Sequence, residues 1–283
     1  MSLVKGRDFA SKRGMPDWIG VMLLGIIEGI TEFLPVSSTG HLLLVEYLIH
    51  LKRTDLFNVV IQTGAVLAVL PLFRSRIRSF FRWQEPAGRD YLLKVAVAFG
   101  ITGVGGLVLE KKHFKLPEET LPVALALLVG GILFVAVERW LRGRLFSEEV
   151  TWTIVGLVGA GQLLAAVFPG ASRSGTTILL SLLVGLSRPA ATEFSFLVSI
   201  PTMAAAGGLK IFKQLHHAAG TGTEDWAMVA LGTIVAAVVS FVVVKWFLRF
   251  VQSHTFEGFG WYRIAAGALL LIFGFWHGGW RSF

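Results

Sequence analysis

Glu28-Gly29-Ile30-Thr31-Glu32-Phe33-Leu34-Pro35-Val36-Ser37-Ser38-Thr39-Gly40-His41 ends one apolar run, residues 18–34, and leads into another, residues 41–51. Two acids lie inside the first run. A proline and three hydroxyl residues then interrupt the helix. A helix needs about 20 apolar residues to cross the hydrocarbon core, so neither run is comfortable as a full span. Together they read as a re-entrant hairpin over about 18–51. Broken backbone at membrane depth is tolerated only where protein or a watery cavity surrounds it. The stretch therefore predicts a membrane fold with a lined cavity at its break.

The same device recurs further along. Residues 151–168 are apolar, Pro169-Gly170-Ala171-Ser172-Arg173-Ser174-Gly175 breaks the helix, and residues 176–187 form a short second half. This gives a second hairpin over about 151–187. Gly25 to Pro35 aligns with Gly159 to Pro169 without a gap, placing Glu28 over Gln162 and Pro35 over Pro169. Residues 55–73, 92–109, 120–138, 189–209, 226–248 and 261–280 read as full spans. The expected fold is all-α: a polytopic membrane bundle with six transmembrane helices and two re-entrant helix hairpins in an inverted repeat. It forms a single integral membrane domain over 1–283, with a first repeat of about 18–110 and a second of about 151–250.

Composition points the same way. Of the 283 residues 54% are hydrophobic and 16% charged, against roughly 25% charged in soluble domains. There is no cysteine, which excludes disulfides, thiolate metal sites and a cysteine nucleophile. The net charge of +8 comes from short basic segments such as Arg74, Arg76, Arg78 and Arg82, or Arg139, Arg142 and Arg144. These suit cytoplasmic loops facing anionic lipid. No basic stripe interleaves with exposed aromatics, so nucleic acid is not an expected partner. Residues 1–16 read as a polar surface segment. Lys5, Arg7, Lys12 and Arg13 would then lie on the outer side, against the positive-inside bias.

Glu28 and Glu32 are four residues apart and share a helix face. Two carboxylates in an apolar segment repel one another and are costly to desolvate. A shared proton, a divalent cation or a guanidinium would compensate them. Ser37, Ser38 and Thr39 begin the next half-helix, where free N–H groups attract anions. Three hydroxyls exceed what an N-cap needs. His41 follows Ser38 by one turn. In the second break, Arg173 stands between Ser172 and Ser174 inside a long apolar region, where arginine is expensive. Its planar fork matches phosphate bidentately, and Thr176 and Thr177 add hydroxyls. If the two breaks meet, one pocket can bind phosphate, bind a metal and attack phosphorus.

The stretch from Glu28 to His41 resembles the N-terminal signature of bacterial undecaprenyl-diphosphate phosphatases of the bacitracin-resistance type. Pro169 to Thr177 resembles their second signature, Pro-Gly-x-Ser-Arg-Ser-Gly ending in threonine, and Glu193-Phe194-Ser195-Phe196 also fits. The likeness covers nearly the whole chain. It implies a plasma (inner) membrane enzyme with an outward-facing, periplasmic site. The implied reaction takes undecaprenyl diphosphate to the monophosphate plus phosphate, recycling the carrier for cell-wall synthesis with a divalent cation, Mg²⁺ or Ca²⁺. In such a site Arg173, Ser37, Thr39, Ser172, Ser174 and Thr177 would hold the phosphates. Glu28 and Glu32 would hold the metal, or Glu32 would act as a base. Ser38, His41 or water would attack phosphorus. A transporter or flippase for a polyprenyl phosphate lipid is the rival reading, because inverted repeats and broken helices are transporter features. Gly130 and Gly131 would permit the close helix packing of a homodimer.

Overall fold

The computed structural model describes residues 16–82, 84, 86–112, 120–217 and 225–276. The basic N-terminal segment lies outside these residues except for Pro16. Among the described residues the chain forms eleven α-helices, and its one β pairing is an isolated bridge between Ser147 and Leu186. In lipid, every backbone polar group must be satisfied within the protein, so long apolar runs fold as helices. Six segments are long and apolar enough to cross a membrane: Asp55–Phe80, Pro86–Lys111, Leu121–Trp140, Arg188–Gln214, Trp226–Phe250 and Glu257–Phe275. They coincide with the six spans read from sequence, and the chain is a multi-pass membrane protein.

The first span comprises α3 (Asp55–Ala68), a 3-10 turn and α4 (Arg74–Phe80). The next are α5 (Pro86–Lys111) and α6 (Thr120–Trp140). The last three are α9 (Arg188–His217), α10 (Trp226–Phe250) and α11 (Glu257–Trp276). Four shorter helices come in two pairs, α1 (Asp17–Thr31) with α2 (Ser38–Ile49), and α7 (Trp152–Val167) with α8 (Arg173–Leu183). At 1.5 Å per residue none of the four spans the roughly 30 Å hydrocarbon core. The second half-helix begins at Arg173 rather than at residue 176, because Ser172 caps it and brings the arginine into its first turn.

Small residues let the short helices approach the long ones. A Cβ on Gly25 of α1 would stand 2.8 Å from the Gly232 carbonyl of α10, and one on Gly159 of α7 would stand 2.8 Å from Ile101 of α5. Hydroxyls add to both contacts: Ser240 donates to the Gly29 carbonyl at 3.1 Å, and Thr102 to that of Gly159 at 3.1 Å. Gly130 and Gly131 of α6 serve a close approach within the chain. Their missing side chains make room for Arg263 and for the Gly260 carbonyl of α11. An aromatic cluster packs against the first break. Phe33 packs edge-on against Phe196 at 4.9 Å, and Phe196 in turn meets Phe73 and Phe247.

Candidate active site

The two breaks share one local design. Ser37 and Ser172 both have positive φ, 74° and 70°. For a residue other than glycine that conformation costs about 1–3 kcal/mol and persists where the surrounding structure over-determines the backbone. Each serine hydroxyl accepts from the amide three residues on, Gly40 at 3.5 Å and Gly175 at 3.1 Å. Matching Ser37 with Ser172 places one extra residue after the second proline. Ser38 then corresponds to Arg173, and both open their helices.

These two residues converge on one acid. The Ser38 hydroxyl donates to Glu32 Oε2 at 2.7 Å. Arg173 Nη2 donates to Glu32 Oε1 and forms an ion pair with it. The guanidinium also approaches the Ser199 carbonyl of α9 at 3.4 Å. Ser174 ties the second break to the first by donating to the Leu34 carbonyl at 3.1 Å. Two helix N-termini, a carboxylate, a hydroxyl and a guanidinium thus meet at one end of a cavity of about 610 Å³, lined there by Glu32, Ser37, Ser38, Thr39, Ser172 and Arg173. That volume is typical of small-molecule sites.

Other expected residues stand further off. Thr177 donates to the Arg173 and Ser174 carbonyls at 2.9 and 3.2 Å. Thr177 and Ser174 brace the break from behind and do not line the cavity. His41 sits in a separate groove with Leu44 and Tyr262. Its Nδ1 is 2.7 Å from the Ser37 carbonyl and its Nε2 is 2.6 Å from the Tyr262 hydroxyl.

Glu28 is fully buried. Both of its carboxylate oxygens lack a hydrogen-bond donor, and Glu32 and Arg173 are its charged neighbours. A buried acid of this kind is satisfied by a proton or a cation, and carboxylate oxygens suit Mg²⁺ or Ca²⁺. The donor set fits such an ion in part. Among the described residues no cluster of three or more His, Cys, Asp or Glu side chains stands together, so phosphate and water oxygens would have to complete the shell.

Two residues had no role assigned from the sequence, where Gln162 figured only as the counterpart of Glu28. Arg263 of α11 is completely buried. Its guanidinium donates to the carbonyls of Pro35 at 3.1 Å, Gly170 at 3.2 Å, Ala171 at 3.0 Å and Ala126 at 3.1 Å. It therefore fastens both breaks to α6. The signal was present, since an arginine inside the apolar run 261–280 is as expensive as Arg173. Gln162 of α7 lines the cavity and is 3% exposed. Its amide donates to Thr102 Oγ1 at 3.0 Å, while its Oε1 has no partner.

The sequence relationships agree with this geometry. The family model described as bacitracin resistance protein BacA matches residues 21–269. A protein of Rhizobium etli (strain CIAT 652) named undecaprenyl-diphosphatase is 48% identical over 258 residues, covering 90% of this chain and 96% of that protein. One of the same name from Xanthomonas axonopodis pv. citri (strain 306) is 48% identical over 261 residues, covering 91% and 97%. With the broken helices, the paired acids and Arg173 all inside the matched region, the chain belongs to the bacitracin resistance protein BacA family.

Proposed function

We propose that this protein hydrolyses undecaprenyl diphosphate to undecaprenyl phosphate and inorganic phosphate, recycling the carrier for cell-wall synthesis and so conferring resistance to bacitracin. The observation that carries the reading is Glu32 held between the Ser38 hydroxyl and the Arg173 guanidinium at the meeting of two half-helix N-termini. That arrangement offers a base, a nucleophile and a cation for one phosphate. The names of the relatives support the same reaction.

In the proposed mechanism, the diphosphate enters the polar end of the cavity. Arg173 grips it with donors not used on Glu32, and the free N–H groups of α2 and α8 add to the hold. Ser37, Thr39 and Ser172 line the same end. Ser174 and Thr177 support it through the backbone. Glu32 removes the Ser38 proton, a transfer its 2.7 Å contact allows. Ser38 Oγ then bonds to the terminal phosphorus as the bond to the bridging oxygen breaks, releasing undecaprenyl phosphate. Water next hydrolyses the phosphoserine, and the proton on Glu32 returns to Ser38. Positioning and charge stabilisation carry most of the rate in such chemistry. Glu28 and Glu32 would hold Mg²⁺ or Ca²⁺, which would neutralise phosphate charge. His41 fixes the Ser37 carbonyl at the start of α2 and acts as a positioning residue.

Each short-helix pair forms a re-entrant hairpin in this reading, and the two belong to inverted repeats. The matching serine geometry and the equivalent packing of Gly25 and Gly159 support this. The protein lies in the plasma (inner) membrane with the cavity opening to the periplasm. Arg76, Arg139 and Arg142 gather at one end of the bundle, whereas the cavity extends to Glu110 at the far end of α5. The deciding experiment is phosphate release from a polyprenyl diphosphate by purified protein in detergent, with and without chelator. Absence of release under both conditions overturns the reading.

A further inference from the structure

The cavity does not end at the phosphate-facing groups. It continues as an apolar slot between α5 and α9, bordered by two facing stripes. Phe99, Gly103, Gly106 and Glu110 follow one another at helical spacing on α5, and Thr202, Ala206 and Leu209 do so on α9. The helices touch at one end of the slot, where Tyr91 packs edge-on against Phe194 at 5.6 Å. They are joined again at the other, where Lys213 bonds Glu110 at 2.5 Å. Between those two contacts residues of both helices line the cavity. A Cβ on Gly103 or Gly106 would meet nothing within 4 Å, whereas one on Gly105, turned toward α7, would collide with Leu163 at 2.3 Å. Small residues in membrane helices normally serve close packing. Here one pair of glycines leaves a window open instead.

A second observation points to a ligand. The Oε1 of Gln162 lies where the slot meets the polar end, buried and without a donor. A buried amide left half-satisfied costs about 1–3 kcal/mol, and a phosphate hydroxyl or a bound water would satisfy it. Pro201 breaks the hydrogen-bond ladder of α9 directly before its stripe.

We propose that the window between α5 and α9 is the lateral portal for the lipid substrate. The first isoprene units pass over Gly103 and Gly106 while Gln162 contacts the phosphate. This rests on the phosphatase reading for the headgroup and adds the route of the chain. Continuity decides the occupant. The window opens from the same cavity as Arg173 and Ser38, and its walls are mostly apolar. The grooves between α6 and α8 and between α2 and α11 are also apolar, but neither is lined by Glu32, Ser38 or Arg173.

The test is photo-crosslinking of the intact protein in detergent. The probe is a farnesyl diphosphate analogue with a methylene bridge between the phosphorus atoms and a diazirine on its first isoprene unit. The adducts should fall in residues 99–107 and 202–209 and should be lost in the presence of excess unlabelled analogue. Adducts in the α6–α8 or α2–α11 groove, or labelling that the analogue does not compete, overturn the portal. Kinetics supply a second reading. Gly103→Leu and Gly106→Leu fit the open space, so the fold is kept. Each should raise KM for farnesyl diphosphate about tenfold or more, as expected when a pocket loses room for several methylenes. Gly100→Leu, also in open space but off the cavity, should leave KM unchanged. Equal KM in all three overturns the proposal. Because crosslinking needs no hydrolysis, a wild type that binds the probe yet releases no phosphate would count against the phosphatase reading and not against the portal.

Discussion

Arg173 and Glu32, 141 residues apart in sequence, are joined side chain to side chain with only 17% and 6% of those side chains exposed. A buried pair of this kind adds little net stability, because desolvating two charges offsets most of their attraction. Its worth here is positional. It brings the first turn of α8 against the last turn of α1 and leaves a guanidinium half-used beside a serine hydroxyl.

Arg173→Ala should lower kcat/KM for phosphate release about 10²–10³-fold, the usual effect of deleting one donor aimed at developing charge. Arg173→Lys keeps the charge but not the fork, and should recover only a small part. Size-exclusion in detergent checks that each variant is folded. Turnover near wild type in the folded alanine variant would remove the phosphate clamp from the mechanism.

Ser38 and Ser37 are neighbours with separable tasks. Ser38→Ala should abolish the phospho-protein trapped by acid quench from substrate labelled on its terminal phosphate. Ser37→Gly should spare it, since glycine adopts positive φ freely and a lost cap costs only about 1 kcal/mol. Trapping in the Ser38→Ala variant equal to wild type would transfer the attack to another group.

How far these assignments were legible from sequence follows from the solvent. Lipid demands long apolar helices and punishes breaks and charges, so the six spans, Pro35, Pro169 and Arg173 stood out. Side-chain direction was less legible. His41 follows Ser38 by three residues, which at 3.6 residues per turn leaves the two about 60° apart. With α1 packed on one flank of α2 and α11 on the other, that angle separates the cavity from the Tyr262 groove. The extra residue after Pro169 was equally hidden, because only backbone conformation pairs Ser172 with Ser37. The expense of Arg263 in an apolar run was visible, but its role was not, because its partners are carbonyls, which have no signature in sequence.

The acids make a prediction about metal. Glu28 has no hydrogen-bond donor, whereas both oxygens of Glu32 are engaged. Glu28→Gln should therefore weaken Mg²⁺ or Ca²⁺ activation while retaining part of the maximal rate. Glu32→Gln should lose both, since it removes the base as well. Activity titrated against free metal after chelator treatment reads this directly. Unchanged titrations in both variants would eliminate the cation site.

Arg263 should behave as a structural anchor with a catalytic consequence. Its guanidinium holds the Pro35 carbonyl of one break and the Gly170 and Ala171 carbonyls of the other. Arg263→Met strands these carbonyls in the interior at about 1–3 kcal/mol for each left unpaired, so thermal stability in detergent should fall sharply. Arg263→Lys supplies three donors in place of five and should fold while holding the breaks less tightly. In that variant kcat should fall about tenfold with KM little changed, because a small misplacement of Ser38 against the phosphorus costs rate before it costs binding. A lysine variant with wild-type kcat, or a methionine variant with wild-type thermal stability, would show that the two breaks hold their registry without the arginine.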